Sequence, residues 1–282
     1  MELSNNGILS PYFTDEDFIG GNFERAILLA NEIIIAKNNG LINPKMNFFF
    51  DAKITDIINK KSYTVLDLWR EAGLREIFVG LESGSKNQLK RYGKTATPDK
   101  NFQAIEVLKK LGIQIDTGYI LFDPEMNFSE LLENIEYIKK INLSHMDARS
   151  IKKMRAHPFT KLTENYFNNS IIIGKLNLDL LYYPIQFKDE KVISAMNYFE
   201  NWEKKYSEQV FDLQAMCRGE VGDENLRIKL KKQLSEIRQI DFELLNYYVK
   251  YLQCNSLASD LYDIEKNYEF KKKQILDNLT FS

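Results

Sequence analysis

The chain has 282 residues, 44% hydrophobic and 28% charged, with 38 basic against 40 acidic side chains, two cysteines and two histidines. That length allows one large domain or one with an appendage, and a net charge of −2 supplies no field to draw nucleic acid or an anionic membrane. Cys217 and Cys254 build no disulfide framework and cannot alone furnish four thiolates to zinc or iron–sulfur, which points to a reducing, cytoplasmic setting. No basic stretch followed by an apolar run opens the chain, and no uncharged apolar segment is long enough to span a bilayer.

In chain order, short β-like runs alternate with longer helical patterns, the mark of βα units and a parallel sheet. Residues 7–13 form the first candidate strand, followed by the acidic loop 14–18 and a helix over 23–37 with Ala26, Ile27, Ala30, Ile33 and Ile34 on one stripe. A buried-strand run at 46–50 precedes a helical face of Val65, Leu66, Leu68, Trp69 and Ala72 that stops at Gly73. The third strand spans 76–80. A short helix over 87–91 and a longer one opening at Thr97-Pro98 follow, the latter closed by Gly112. Strand four is 114–122, a helix covers 127–141, and a fifth strand falls within 145–154. Five such units curl into a partial barrel rather than a closed eight. After Tyr183-Pro184 the segments 190–214, 224–237, 242–252 and 257–276 are helix-prone. The expected domains are therefore 1–185, an α/β partial barrel, and 186–282, a helical C-terminal region. Its lysine runs fit a solvated helix face, and Tyr247, Tyr248 and Tyr251 fit packing on the barrel.

Ligands in such folds bind at the loops after the carboxyl ends of the strands. The first loop offers Asp15, Glu16 and Asp17, able to hold a cation, a ribose or an amine, or simply to cap the next helix. The third offers Gly80, Glu82, Ser83 and Gly84, where glycine permits close backbone approach. The fourth offers Asp123, as a rim contact or a capping carboxylate. Lys86 after Ser85 has the wrong spacing for a phosphate loop, and Gly20-Gly21 lacks a third glycine for a dinucleotide fingerprint. His145 and His157 fit no metal spacing, and the two cysteines have no partner arranged by sequence, so structural roles suit all four. No metal ligand set and no catalytic residue emerge from spacing.

Four stretches in order resemble the radical S-adenosylmethionine (SAM) enzymes, in particular the branch that often carries a cobalamin-binding domain. They are FTDEDF at 13–18; LWREAGLREIFVGLESGS at 68–85 with its continuation LKRYGKTATPDKNFQAIEVLKKLGI; YILFDPE at 119–125; and HPFTKL at 157–162, with Phe159 where glycine is usual. The resemblance covers somewhat over half the chain. It implies a partial (β/α) barrel of the radical SAM type, with Gly80, Glu82, Ser83 and Gly84 at a SAM pocket, Asp123 as a contact to SAM or substrate, and Asp15 and Asp17 beside the cluster position.

The family's CxxxCxxC loop, which supplies three thiolates to a [4Fe–4S] cluster, has no counterpart before Cys217. One expectation follows: this is the barrel remnant of an enzyme that cleaves SAM reductively to a 5′-deoxyadenosyl radical, inactive alone, with a second chain or lost upstream portion supplying the cluster. A second expectation is a non-catalytic pseudoenzyme or partner-binding subunit. A third is a cation-dependent enzyme using Asp15, Asp17, Glu82 and Asp123 as oxygen ligands. The substrate would be a small molecule or peptide, with no nucleic acid and no membrane; sequence is silent on cobalamin.

Overall fold

The structure, a computed structural model, describes residues 1–218, 224–254 and 259–278, with side chains except at 147–152, 218, 224, 259 and 260. Among them four strands, β1 (Phe48–Asp51), β2 (Leu74–Glu82), β3 (Gln114–Phe122) and β4 (Asp147–Lys153), form one sheet in that order. β1 runs parallel to β2 and β2 to β3, the α/β arrangement expected of a partial barrel. The chain divides into two compact units, 1–120 with 146–151 and 121–145 with 152–282.

The first unit carries helices α1 (Glu2–Asn5), α2 (Phe23–Asn38), α3 (Ile54–Ile57), α4 (Ser62–Ala72), α5 (Lys86–Arg91) and α6 (Pro98–Lys110). Asn22 caps α2 by accepting from the Arg25 N–H, and Thr97 caps α6 ahead of Pro98, whose missing N–H costs nothing at the first turn. α2 packs on α4 through the stripes read from sequence, with Ala26, Ala30 and Ile33 buried from one and Val65, Leu66, Trp69 and Ala72 from the other. The expected strand at 7–13 does not form. A single parallel bridge joins Tyr12 to Phe49, and the Phe13 and Asn47 N–H groups donate to Phe49 and Leu9 carbonyls at 2.9 and 2.7 Å. Pro11 interrupts the run and lacks the donor a ladder needs.

The second unit carries α7 (Phe128–Ile141), α8 (Lys161–Asn168), α9 (Glu190–Lys204), α10 (Ser207–Arg218), α11 (Glu224–Cys254) and α12 (Ser259–Asp277). The two segments read separately at 224–237 and 242–252 are one helix, α11. The expected start of the last helix at Leu257 lies outside the described residues. Asn127 and Glu130 form a reciprocal capping box on α7, while the Asp189 carboxylate accepts from Lys191 and Val192 on α9 and from Phe128 on α7. Leu213, Cys217, Leu230, Leu234 and Ile237 are buried together. Tyr248, expected against the barrel, instead stacks on Tyr198 of α9 at 3.8 Å between ring centroids. No described helix is long and apolar enough to cross a membrane.

At Phe159 the backbone has φ +64 with the ring wholly exposed. A bulky residue in the left-handed region is strained, and an exposed ring recovers little by packing. Phe159→Gly should raise stability by about 0.5–1 kcal/mol after glycine's extra unfolded-state entropy is set against the relief. A urea midpoint that fell instead would contradict the strain.

Candidate functional site

The site grows from the carboxyl ends of β1 and β2 in the first unit. β1 buries Phe48 and Phe50, ends at Asp51 and leads into Ala52 and Lys53, and these last three residues line the site. In β2 the pairing with β3 slips between Gly80 and Glu82, so Leu81 is an extra, buried residue and the strand bends. Glu82 sits beyond the bend at φ +60, a left-handed backbone for a side chain with a Cβ.

Buried polar groups hold that bend. Asn101 Nδ2 donates to the Leu81 carbonyl at 2.9 Å, and the Gly84 N–H donates to the Tyr119 hydroxyl at 2.9 Å. Ser83 Oγ donates to Gln88 Oε1 at 2.8 Å and accepts from the Ser85 N–H at 2.9 Å, while Gln88 Nε2 donates to the Ile120 carbonyl at 2.7 Å. Ser83 and Gln88 are fully buried, so these bonds are made where water cannot substitute.

Gly80, Glu82, Asp51, Lys53, Lys94 and Glu16 share a cavity of about 370 Å³. Its two cations are paired: Lys94 Nζ lies 2.8 Å from Glu82 Oε1, and Lys53 Nζ lies 2.9 Å from Asp17 Oδ2. Asp17 holds the Lys53 ammonium above its ordinary value. The Tyr12 hydroxyl donates to Asp51 Oδ1.

Beside this cavity, burial and then the Asp17 charge push the Asp56 carboxyl up, against a hydrogen bond from the Gly21 N–H at 3.1 Å. A raised folded pKa means that the native state binds more protons than the unfolded chain between pH 3.8 and the raised value. Stability therefore falls as pH rises through that window, and the cost is fully present above it. Asp56→Asn keeps an acceptor for Gly21 and drops the charge. Its urea stability should equal or exceed wild type at pH 7, with the advantage shrinking as pH falls toward 4.

Of the residues read from sequence, Gly80 and Glu82 line the cavity, whereas Ser83 and Gly84 are engaged in holding the turn beneath it. Asp15 pairs with Arg25 at 3.4 Å. Asp123 lies in the other unit, fully buried, accepting from the Tyr166 hydroxyl at 3.2 Å and the Glu125 N–H at 2.9 Å. Among the described residues no group of three or more His, Cys, Asp or Glu side chains that could hold a metal ion forms, so the cation-dependent reading finds no ligand set there. His145 meets Ser235 Oγ and His157 meets the Leu181 carbonyl, both structural contacts. Sequence reading passed over Asp51, Lys53 and Lys94. Asp51 follows the FFF run of β1 directly, the same strand-end position that marks Glu82, and Lys53 comes two residues later.

The parallel strands β1, β2 and β3 with their helices, followed by a helical region, make the α/β partial-barrel fold that the chain shares with radical SAM enzymes of known structure. No family model matches the chain. Over 142 residues it is 32% identical to the 4′-phospho-dehydrooxetanocin synthase of Priestia megaterium, covering 46% of this chain and 18% of that protein. An uncharacterized methyltransferase of Pyrococcus horikoshii is 25% identical over 116 residues, 41% of this chain and 25% of the relative. The solved structure of the cobalamin-dependent S-adenosylmethionine radical enzyme OxsB with aqua-cobalamin bound matches 96% of this chain with a TM-score of 0.75 at 19% identity, a likeness of fold. The chain spans 44% of that structure's chain and under a fifth of the Priestia relative.

Proposed function

We propose that the rim cavity at the ends of β1 and β2 binds SAM, with Glu82 as a direct contact, Gly80 giving the close approach, and Ser83 and Gly84 fixing the bend. The carrying observation is Glu82 itself: a carboxylate aimed into a cavity from a strained, bulged strand end braced by buried hydrogen bonds. Strain of this kind persists where the surroundings over-determine it and is concentrated at ligand sites. A cavity of about 370 Å³ is within the ordinary range for small-molecule sites. Asp15 and Asp17, tied to Arg25 and Lys53, shape the acidic loop next to it. In this reading the substrate, a small molecule or peptide, is bound on the barrel portion, 1–185, in a cytoplasmic protein.

A [4Fe–4S] cluster supplies, in the family, the electron that cleaves SAM. These residues do not fit it: Cys217 is buried in the helical core and Cys254 is exposed at the end of α11, two thiols where three are needed. In a catalytic assembly the cluster thiolates would come from polypeptide other than these 282 residues, contiguous or in a partner, and on this reading the chain alone does not cleave SAM. The same count favours the second reading, a SAM-binding pseudoenzyme or partner subunit. Titration calorimetry with SAM should show binding that Glu82→Ala weakens by about tenfold, roughly 1.4 kcal/mol. Anaerobic iron–sulfide reconstitution should leave the chain iron-free. A wild-type chain that binds no SAM, or that takes up a stoichiometric cluster, would overturn the proposal.

A further inference from the structure

Lys94 reaches the cavity by a route the sequence dictates. α5 ends in a Schellman motif: the Gly93 N–H donates to the Lys90 carbonyl and the Lys94 N–H to the Leu89 carbonyl, both at 3.0 Å, around Gly93 at φ +68. Leu89 is buried, so the turn is anchored and the Lys94 backbone fixed with it. From there its ammonium crosses to Glu82 Oε1 at 2.8 Å.

The pair lies over Gly80. A Cβ built at that position would stand 2.6 Å from Glu82 Oε1 and 3.9 Å from Lys94 Nζ. Glycine at 80 is what lets the carboxylate rest against the strand, and Lys94 is what keeps it there. Among the described residues Lys94 is the side chain paired with Glu82, through Oε1, which leaves Oε2 for a ligand.

We infer that Lys94 is a positioning residue: it fixes the Glu82 carboxylate over Gly80, so that ligand binding does not have to freeze the rotamers of a free glutamate. Freezing a long side chain costs rotamer entropy, and the ion pair meets part of that cost before any ligand arrives. The inference rests on the SAM-binding reading, and it assigns Lys94 an action through Glu82 rather than a contact of its own.

The test is a double-substitution cycle on the full chain, with SAM as the calorimetric probe. Lys94→Met should weaken SAM by about fivefold and Lys94→Arg should restore it to within about twofold. In a Glu82→Gln background Lys94→Met should change affinity by less than about twofold, because its route of action is already gone. Multiplying effects, or no effect of Lys94→Met on a chain that binds SAM, would overturn the inference. A crystal structure of free Lys94→Met judges it without any ligand: the Glu82 carboxylate should leave Gly80, and a carboxylate still seated there refutes the positioning role. Wild type failing to bind SAM, with Glu82 nonetheless displaced in that crystal, would instead condemn the SAM reading and uphold the role of Lys94.

Discussion

Lys272→Met should destabilise the helical unit by about 3–5 kcal/mol. Lys272 is 1% exposed on α12, and its ammonium lies 2.6 Å from Asp241 Oδ1 on α11. The same oxygen accepts from Trp202 Nε1 of α9 at 2.6 Å, and the ammonium sits 5.2 and 5.3 Å from the Trp202 and Tyr206 ring centroids. One cation therefore joins three helices through a carboxylate and two aromatic faces. Removing it leaves Asp241 charged and buried with one neutral donor, and that uncompensated charge, more than the lost pair, sets the size of the effect. The double substitution Lys272→Met with Asp241→Asn should recover a large part of the loss, since asparagine keeps an acceptor for Trp202 and carries no charge. Urea unfolding followed by Trp202 fluorescence, with Trp69 replaced by phenylalanine in every variant, checks both. A double variant as unstable as Lys272→Met alone would show that packing, not charge, is lost.

How far the fold could be read from sequence depended on whether the signal was local. β3 was bounded at both ends because Gly112 closes the preceding helix and Asp123-Pro124 breaks the strand. Pro98 and Thr97 likewise placed the start of α6. The run 7–13 misled because its apolar content fits a strand while Pro11 prevents the ladder, and the two halves of α11 were parted because Arg238 and Gln239 break the apolar pattern and Asp241, although polar, is buried on the inner face. At the site, Gly80 and Glu82 were legible as a glycine and a carboxylate at a strand end. The Leu81 bulge was not, since it is a register slip against β3 that only the pairing reveals. Nor was the reach of Lys94 across twelve positions to Glu82, which needs the Schellman turn and the strand end placed together. Ser83 looked available from sequence and is spent on Gln88 because the α5 start folds back over it.

Trp69→Ala should cost the first unit about 3–5 kcal/mol and weaken SAM binding with it. The indole is fully buried on α4 and is met edge-on by four phenylalanines: Phe13 at 5.7 Å, Phe18 at 5.0 Å, Phe48 at 6.1 Å and Phe50 at 5.4 Å between centroids. Its Nε1 donates to the Ala26 carbonyl of α2 at 3.0 Å, so the same side chain pins α2, α4 and β1. Phe48 and Phe50 belong to the strand whose end delivers Asp51 and Lys53 to the cavity, and Phe18 follows the acidic loop whose Asp17 holds Lys53. A void at 69 loosens the footing of that wall even though the indole touches nothing in the cavity. Trp69→Phe, which keeps an aromatic ring and loses the hydrogen bond, should cost about 1–2 kcal/mol and leave SAM affinity within about twofold. Amide hydrogen exchange of β1 and β2, read beside calorimetry with SAM, separates the outcomes. Faster exchange in Trp69→Ala with unchanged affinity would mean that the cavity wall is held by something other than this aromatic cluster.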